Sequence, residues 1–333
     1  MSRIKRAVSL YSYQDEYVRG KLNLEGCIKE LNELGVEGVE IISDQMLKNA
    51  PFVSDEDIQN FRHLVRKYQV EPVCNDIFIN TNLYKNRERT QRENLEQLKD
   101  EIRLAHKLGI KLIRLVSATP ADIIEDAIPL CEELDVAIAQ EVHAGMGFDH
   151  PKTKAFIDIM LQLKSSYCGL VVDTGIFCKK HPRVSTAFFK EQGLSNEVAE
   201  YVDSIFESGS DPRGKNTNDV LPEKVRNAIK SEIDRMYLLF SDGYEQNDFS
   251  VMDEYMPYIY HFHGKFFEIT EDGNEYSIPY RELIEYLKEK NYNGYIASEY
   301  EGGRFALSGT EVDAITQVRK HQELLKQCIE GVE

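Results

Sequence analysis

The chain has 333 residues, 42% of them hydrophobic, a length that suits one large α/β domain better than two small ones. Forty Lys and Arg stand against 57 Asp and Glu, so the net charge of −17 creates a surface field that repels nucleic acid and anionic membrane, and neither is expected as a partner. No apolar run is long enough to span a bilayer, MSRIKRAVSLYSY lacks the features of a secretory leader, and the six scattered cysteines form no CxxC pair, which together predict a soluble cytoplasmic protein with reduced thiols.

In chain order, IKRAVSLYSY is the first predicted strand. The second lies in LGVEGVEII (34 to 42) and the third in YQVEPVCND (68 to 76), followed by LGIKLIRLV (108 to 116), LDVAIAQEVH (134 to 143) and YCGLVVDTG (167 to 175). In each of these five, and again in YNGYIASEYEG, a helical pattern closes on Gly or a turn residue and runs directly into a β-branched segment. YIYHFHGKF near residue 260 and YNGYIASEYEG (292 to 302) complete a set of eight. Between them, 54 to 68, 87 to 108, 279 to 289 and 310 to 328 carry apolar residues at three- and four-residue spacing with charged outer faces, the signature of amphipathic helices. Eight strand-then-helix units predict a (β/α)8 TIM barrel over residues 1–333. A doubly wound open sheet is the alternative, but no GxGxxG follows the first strand.

One connection breaks the rhythm. About 80 residues separate predicted strands six and seven, far more than an ordinary connection. This insertion, residues 177–257, holds two helical patterns at roughly 195 to 207 and 222 to 240, separated by the turn-rich SGSDPRGKNTND. It reads as a surface excursion, or, because it leaves the C-terminal end of a strand, as a lid or a partner-docking surface.

Polar residues at strand ends carry the chemistry. Buried barrel strands call for Val, Ile and Leu, so ionisable groups there need an account. The fifth strand ends with Glu141 and His143, the sixth with Asp173, the seventh holds His261, His263 and Lys265 at alternate positions on one face, and the eighth ends with Glu299 and Glu301. A single acidic residue at a strand end is usually a helix cap or loop hydrogen-bonder. Four successive strands that each supply such a residue point instead to an oxygen-rich site for one divalent metal, Mn²⁺ above all with Mg²⁺ or Co²⁺ as alternatives, since crowded carboxylates otherwise repel one another. His263 is the expected ligand. His261 lies deeper and is either an outer-shell group or a core histidine, while Lys265 shares the parity of His263 and is expected to touch substrate. His63, His106 and His321 fall in helical patterns and receive no role.

EVH at 141 to 143, VDTG at 172 to 175, HFHGK at 261 to 265 and SEYEG at 298 to 302 resemble the sugar phosphate isomerase/epimerase superfamily, the xylose isomerase-like metal-dependent barrels, over essentially the whole chain. The resemblance implies Glu141, Asp173, His263 and Glu299 as the ligands of one divalent ion. Many relatives carry His where this chain has Ile176 and Asp where it has Phe266, which argues against simple ketose epimerisation. HGKFF, SEYEGGR and the long insertion look more like the catalytic α-subunit of bacterial C-glycoside deglycosidases, a likeness that implies a small separate β-subunit and an oxidised glycoside as substrate. Either likeness implies removal of a proton beside a sugar carbonyl, followed by β-elimination across a carbon–carbon glycosidic bond in the deglycosidase case, or by reprotonation in a ketose 3-epimerase or aldose-ketose isomerase. His143 is placed as the general base, with Glu141 or Glu299 as the alternative base; Lys265 and Arg304 are candidate oxygen-binding or proton-donating groups. A DNA-repair endonuclease on the same barrel would require more histidines and a basic face. A non-catalytic sugar-binding barrel would have little use for a full ligand set.

Overall fold

The computed structural model describes residues 4–208, 223–241 and 244–331. Eight parallel strands close a barrel in sequence order: β1 Lys5–Ser9, β2 Gly38–Ile41, β3 Glu71–Ile77, β4 Leu112–Leu115, β5 Ala137–Val142, β6 Cys168–Asp173, β7 Ile259–Phe266 and β8 Tyr295–Tyr300. Closure is made by β8 on β1, with Val8 opposite Ser298. All eight predicted strands are present.

Strand periodicity of two sorts the side chains into two cores. One set faces outward and packs against the surrounding helices, which contribute Ile28, Phe61, Ile102 and Leu325 to this core. The other is a small interior plug of Ala7, Val73, Cys74, Leu112, Ala139, Val171 and Ala297. Advancing two residues from members of that plug, on the same face, gives Asp76 from Cys74, Arg114 from Leu112, Glu141 from Ala139, Asp173 from Val171 and Glu299 from Ala297. The barrel is therefore filled in layers, apolar below and ionisable above, toward the C-terminal rim where barrel enzymes act.

Local chemistry sets the helix limits. The helix predicted over 87 to 108 begins at Gln91, because Thr90 and Glu93 form a reciprocal capping box, and it ends at Gly109 with φ +83°. The pattern at 222 to 240 resolves into two helices, Glu223–Ala228 and Glu232–Ser241. The break is chemical: the Asp234 carboxylate accepts hydrogen bonds from the backbone N–H groups of Lys230 and Ser231, while Ser231 Oγ accepts from Asp234 N. The SGSDPRGKNTND loop lies, from Gly209 onward, outside the described residues. Where the insertion returns to the barrel it is stitched to the end of β6, with Cys178 N donating to Glu245 O at 2.9 Å and Asn247 N to Ile176 O at 3.1 Å.

All six cysteines are buried and unpaired, as their spacing predicted. No helix among the described residues is long and apolar enough to cross a membrane.

One buried acid makes stability depend on pH. Glu101, inside the helix Gln91–Leu108, is 4% exposed, and burial together with the charges of Asp44 and Asp100 raises its pKa to about 7. A folded-state pKa above the unfolded value of about 4.3 means the native state binds the extra proton, so this contribution is lost as pH rises from about 4 to 7. Glu101→Gln is expected to flatten the decline of unfolding free energy across that window, by up to about 3 kcal/mol at pH 8 relative to pH 4. Urea unfolding at both pH values checks this; parallel pH profiles for the two proteins would contradict it.

Candidate active site

The ionisable layer is drawn from seven strands, not four. Glu141, Asp173 and His263 each place one ligand atom so that the three lie within 4.8 Å of one another. The pivot is His263, fully buried, whose Nδ1 lies 3.0 Å from Glu141 Oε1 and 3.5 Å from Glu299 Oε1. The parallel register sets Asp173 beside His263, and Lys265 beside Glu299. Three of the four sequence-predicted ligands therefore share one point, and the fourth, Glu299, comes beside it through its approach to His263 Nδ1.

The donor set fits a divalent cation. Three carboxylates and one imidazole form a hard, oxygen-rich cage, and Glu299 Oε2 is buried with no hydrogen-bond partner. Burial pushes the Glu299 carboxyl up to about 7, with the Asp173 and Glu141 charges adding to the rise against His263 and Lys265. Burial acts the same way on Glu141, but Arg114 and the bond and charge of His263 outweigh it and hold that carboxyl well below the usual range. A cation would relieve the crowding at Glu299.

Above the ligands, Lys265 is almost wholly buried and its Nζ lies 2.6 Å from Asp173 Oδ2 and 2.9 Å from His143 Nε2. Burial works against its charge, but Asp173 and Glu301 hold its pKa well above the ordinary lysine value. His143 stands one residue beyond β5, half-exposed, with Nδ1 2.6 Å from Ala144 O and Nε2 3.7 Å from Asp173 Oδ2. The carbonyl can only accept, so Nδ1 carries the hydrogen and the Nε2 lone pair accepts from the lysine ammonium. The imidazole thus presents a basic nitrogen inward.

Gly175 makes the tight turn after Asp173 feasible. Its N–H donates to Asp173 Oδ1 at 2.6 Å, and a Cβ there would meet that oxygen at 2.9 Å and Lys265 Cδ at 3.0 Å. The loop after His143 is tied to the insertion by Gly145 N, which donates to Glu245 Oε1 at 2.8 Å.

Arg304 is not brought to the ligand cluster. Its side chain is 57% exposed and pairs with Glu301 Oε2 at 2.8 Å, while the other oxygen of Glu301 lies 3.7 Å from Lys265 Nζ. It sits on the outer rim, connected to the centre through Glu301.

The sequence reading missed the contributions of β2, β3 and β4. Glu40 Oε2 lies 2.8 Å from His261 Nε2 and 3.1 Å from His263 Nε2. This gives His261 a definite place as a partner of the carboxylate that also holds His263. Arg114 Nε is 3.2 Å from Asp76 Oδ1, and its Nη2 is 3.7 Å from Glu141 Oε1. The available signal was a charged residue inside an otherwise buried strand, as in GVEI, VCND and LIRL.

Ile176 and Phe266 are fully buried and supply no polar group to the site; Phe266 stacks on His321 at 4.2 Å between ring centroids. His321 is a core residue whose Nδ1 meets Ser298 Oγ at 2.7 Å.

Residues 28–180 match the family model described as a xylose isomerase-like TIM barrel. The chain is 26% identical to a C-glycoside deglycosidase alpha subunit of Arthrobacter globiformis, an alignment that covers 99% of this chain and 93% of the relative. It is 25% identical to a 3'-dehydrocarminate deglycosidase alpha subunit of a Microbacterium species, covering 98% and 95% respectively. Among solved structures, D-psicose 3-epimerase from Clostridium cellulolyticum H10, with D-tagatose, has a TM-score of 0.58 at 13% identity, with 98% of this chain and 99% of that one covered. A sugar phosphate isomerase/epimerase from Parabacteroides distasonis has a TM-score of 0.56 at 12% identity, covering 98% and 94%. The chain has the xylose isomerase-like barrel fold.

Proposed function

We propose that this chain is the catalytic subunit of a metal-dependent enzyme that removes a proton beside the carbonyl of an oxidised sugar and, by β-elimination, cleaves the carbon–carbon glycosidic bond of 3-oxo-C-glycosides. The observation that carries the reading is the cluster of Glu141, Asp173 and His263, with Glu299 3.5 Å from His263 and His143 Nε2 3.7 Å from Asp173. The full-length similarity to two kinds of deglycosidase alpha subunit supports the choice of substrate class. The four residues would hold one Mn²⁺-like ion, which would polarise the sugar carbonyl and favour the charge that develops on its oxygen.

The protein's own groups have distinct tasks in this reading. His143 Nε2 takes the proton from C2, and the electrons of that C–H bond form the new C1–C2 double bond as the C1–aglycone bond breaks. The pair leaves on the aglycone carbon and is quenched by a proton. Lys265, buried and charged, binds a substrate oxygen or delivers that proton; Arg304, held by Glu301 at the rim, is the outer candidate for the same work. The lysine must exchange its contact with His143 for one to substrate before the imidazole can act. The insertion, fastened through Glu245 to the loop after His143, serves as a lid or as the surface that receives a small β-subunit.

Ketose epimerisation is the second reading, and it shares the proton abstraction. The packing of Ile176 and Phe266 weighs against it, since neither position offers a polar group to a free sugar. Incubation of the metal-loaded protein with a 3-oxo-C-glycoside of a flavonoid, together with a deglycosidase β-subunit, is expected to release free aglycone while ketohexoses are epimerised little. Rapid ketohexose epimerisation without aglycone release would make the second reading correct.

A further inference from the structure

Glu40 is the carboxylate at hydrogen-bond distance from the far-side nitrogen of the ligand histidine, where Asp76 Oδ1 stands farther off at 3.8 Å from the same nitrogen. Its Oε2 lies 3.1 Å from His263 Nε2 and 2.8 Å from His261 Nε2, and all three side chains are at most 1% exposed. An ionised carboxylate only accepts, so both imidazoles must present N–H at Nε2.

We infer that Glu40 is a positioning residue for the metal site: by retaining the Nε2 proton of His263 it leaves Nδ1, the nitrogen that faces Glu141 and Glu299, as the atom that gives up its hydrogen and binds the cation. One oxygen serves two imidazoles, so the ring of His263 is fixed in rotation as well as in protonation pattern. The topology supports a built arrangement, because β8 and β1 separate β7 from β2, and the Glu40 side chain meets His263 through the barrel interior. Carboxylates placed behind ligand histidines orient the ring and raise its basicity, and their loss costs roughly 10- to 100-fold in metal affinity.

Glutamine at this position is not an equivalent. Its amide oxygen could accept from both imidazole N–H groups, as the single carboxylate oxygen does, but as a neutral acceptor it makes weaker bonds and does less to raise the basicity of the ring. His261 stands edge-on to His263, with ring centroids 5.8 Å apart, but its hydrogen bond goes to Glu40, so its removal frees that oxygen for His263 alone.

The test is Mn²⁺ affinity by calorimetry on metal-stripped full-length protein, with fold checked by circular dichroism. Glu40→Gln and Glu40→Leu are expected to weaken binding roughly 10- to 100-fold, whereas His261→Gln is expected to stay within about threefold of wild type, since it leaves the bond between Glu40 and His263 in place. A second readout is insensitive to a general loss of stability. In Zn²⁺-loaded protein labelled with ¹⁵N-histidine, His263 should show a solvent-protected Nε2–H that disappears in Glu40→Leu. Unchanged affinity in the folded Glu40 variants, or persistence of that protected N–H, overturns the inference. The inference rests on the metal reading of the site, and the two fail differently: if wild type binds no Mn²⁺ the metal reading falls, whereas tight binding by wild type and Glu40 variants alike removes only the role of Glu40.

Discussion

Glu141→Ala, Asp173→Ala and Glu299→Ala are each expected to leave a folded barrel that no longer retains a divalent ion. The three residues sit at the upper ends of β5, β6 and β8, above the apolar plug, so truncation removes a carboxylate without opening the packed layer beneath it. The loss of affinity should exceed the roughly 10- to 100-fold that follows loss of an outer-shell partner, because a ligand itself is gone. Turnover should fall by about 10² or more, since polarisation of the reacting carbonyl is worth several kcal/mol. Metal content after dialysis, together with initial rates under added Mn²⁺, reads both effects. Wild-type metal retention in any of the three would remove that residue from the ligand set. Asp173→Ala also frees Lys265 from its 2.6 Å partner, so this variant should show the larger change in substrate affinity.

His143→Ala is expected to fail in a different way. His143 stands outside the ligand cage, 3.7 Å from Asp173 Oδ2, and its Nε2 faces the space above the ligands through Lys265. The variant should keep its metal and its fold while losing roughly 10² to 10⁴ in rate, the usual scale for a general base. Solvent-deuterium exchange at the acidic carbon of the substrate separates the step from later ones. Exchange in His143→Ala as fast as in wild type would show that His143 is not the base and would transfer that role to Glu141 or Glu299.

Much of this was legible because a barrel repeats its signals. Six of the eight strands announced themselves where a helical period closed on Gly or a turn residue and gave way to Val, Ile and Leu; LGIKLIRLV and YCGLVVDTG left little room for another assignment. The four ligands were visible for a related reason. AQE, VVD and ASE place a carboxylate two residues beyond an apolar or small one at a strand's exit, HFH repeats an imidazole at the same spacing, and a carboxylate does not settle there without a partner. The floor of the site was harder to see. Glu40, Asp76 and Arg114 lie within or at the end of short strands where the same spacing holds, but each could pass for a loop-facing residue until the closed barrel brings β2, β3 and β4 opposite β7. Convergence across a barrel is a long-range property that no local window contains. Arg304 misled in the opposite sense: GGR follows the ligand strand closely in sequence, yet the short helical turn Gly302–Phe305 carries the guanidinium outward to the rim. The split of the 222 to 240 pattern was also hidden, since the capping by Ser231 and Asp234 interrupts a helix without interrupting its apolar period.

The most direct test of the central claim is elemental analysis of the purified full-length protein, paired with substrate proton exchange before and after chelation. The account predicts about one Mn²⁺-like ion per chain, with exchange that stops on chelation and returns when Mn²⁺ is added back. Active protein without a divalent ion, or exchange that survives complete chelation, would contradict it.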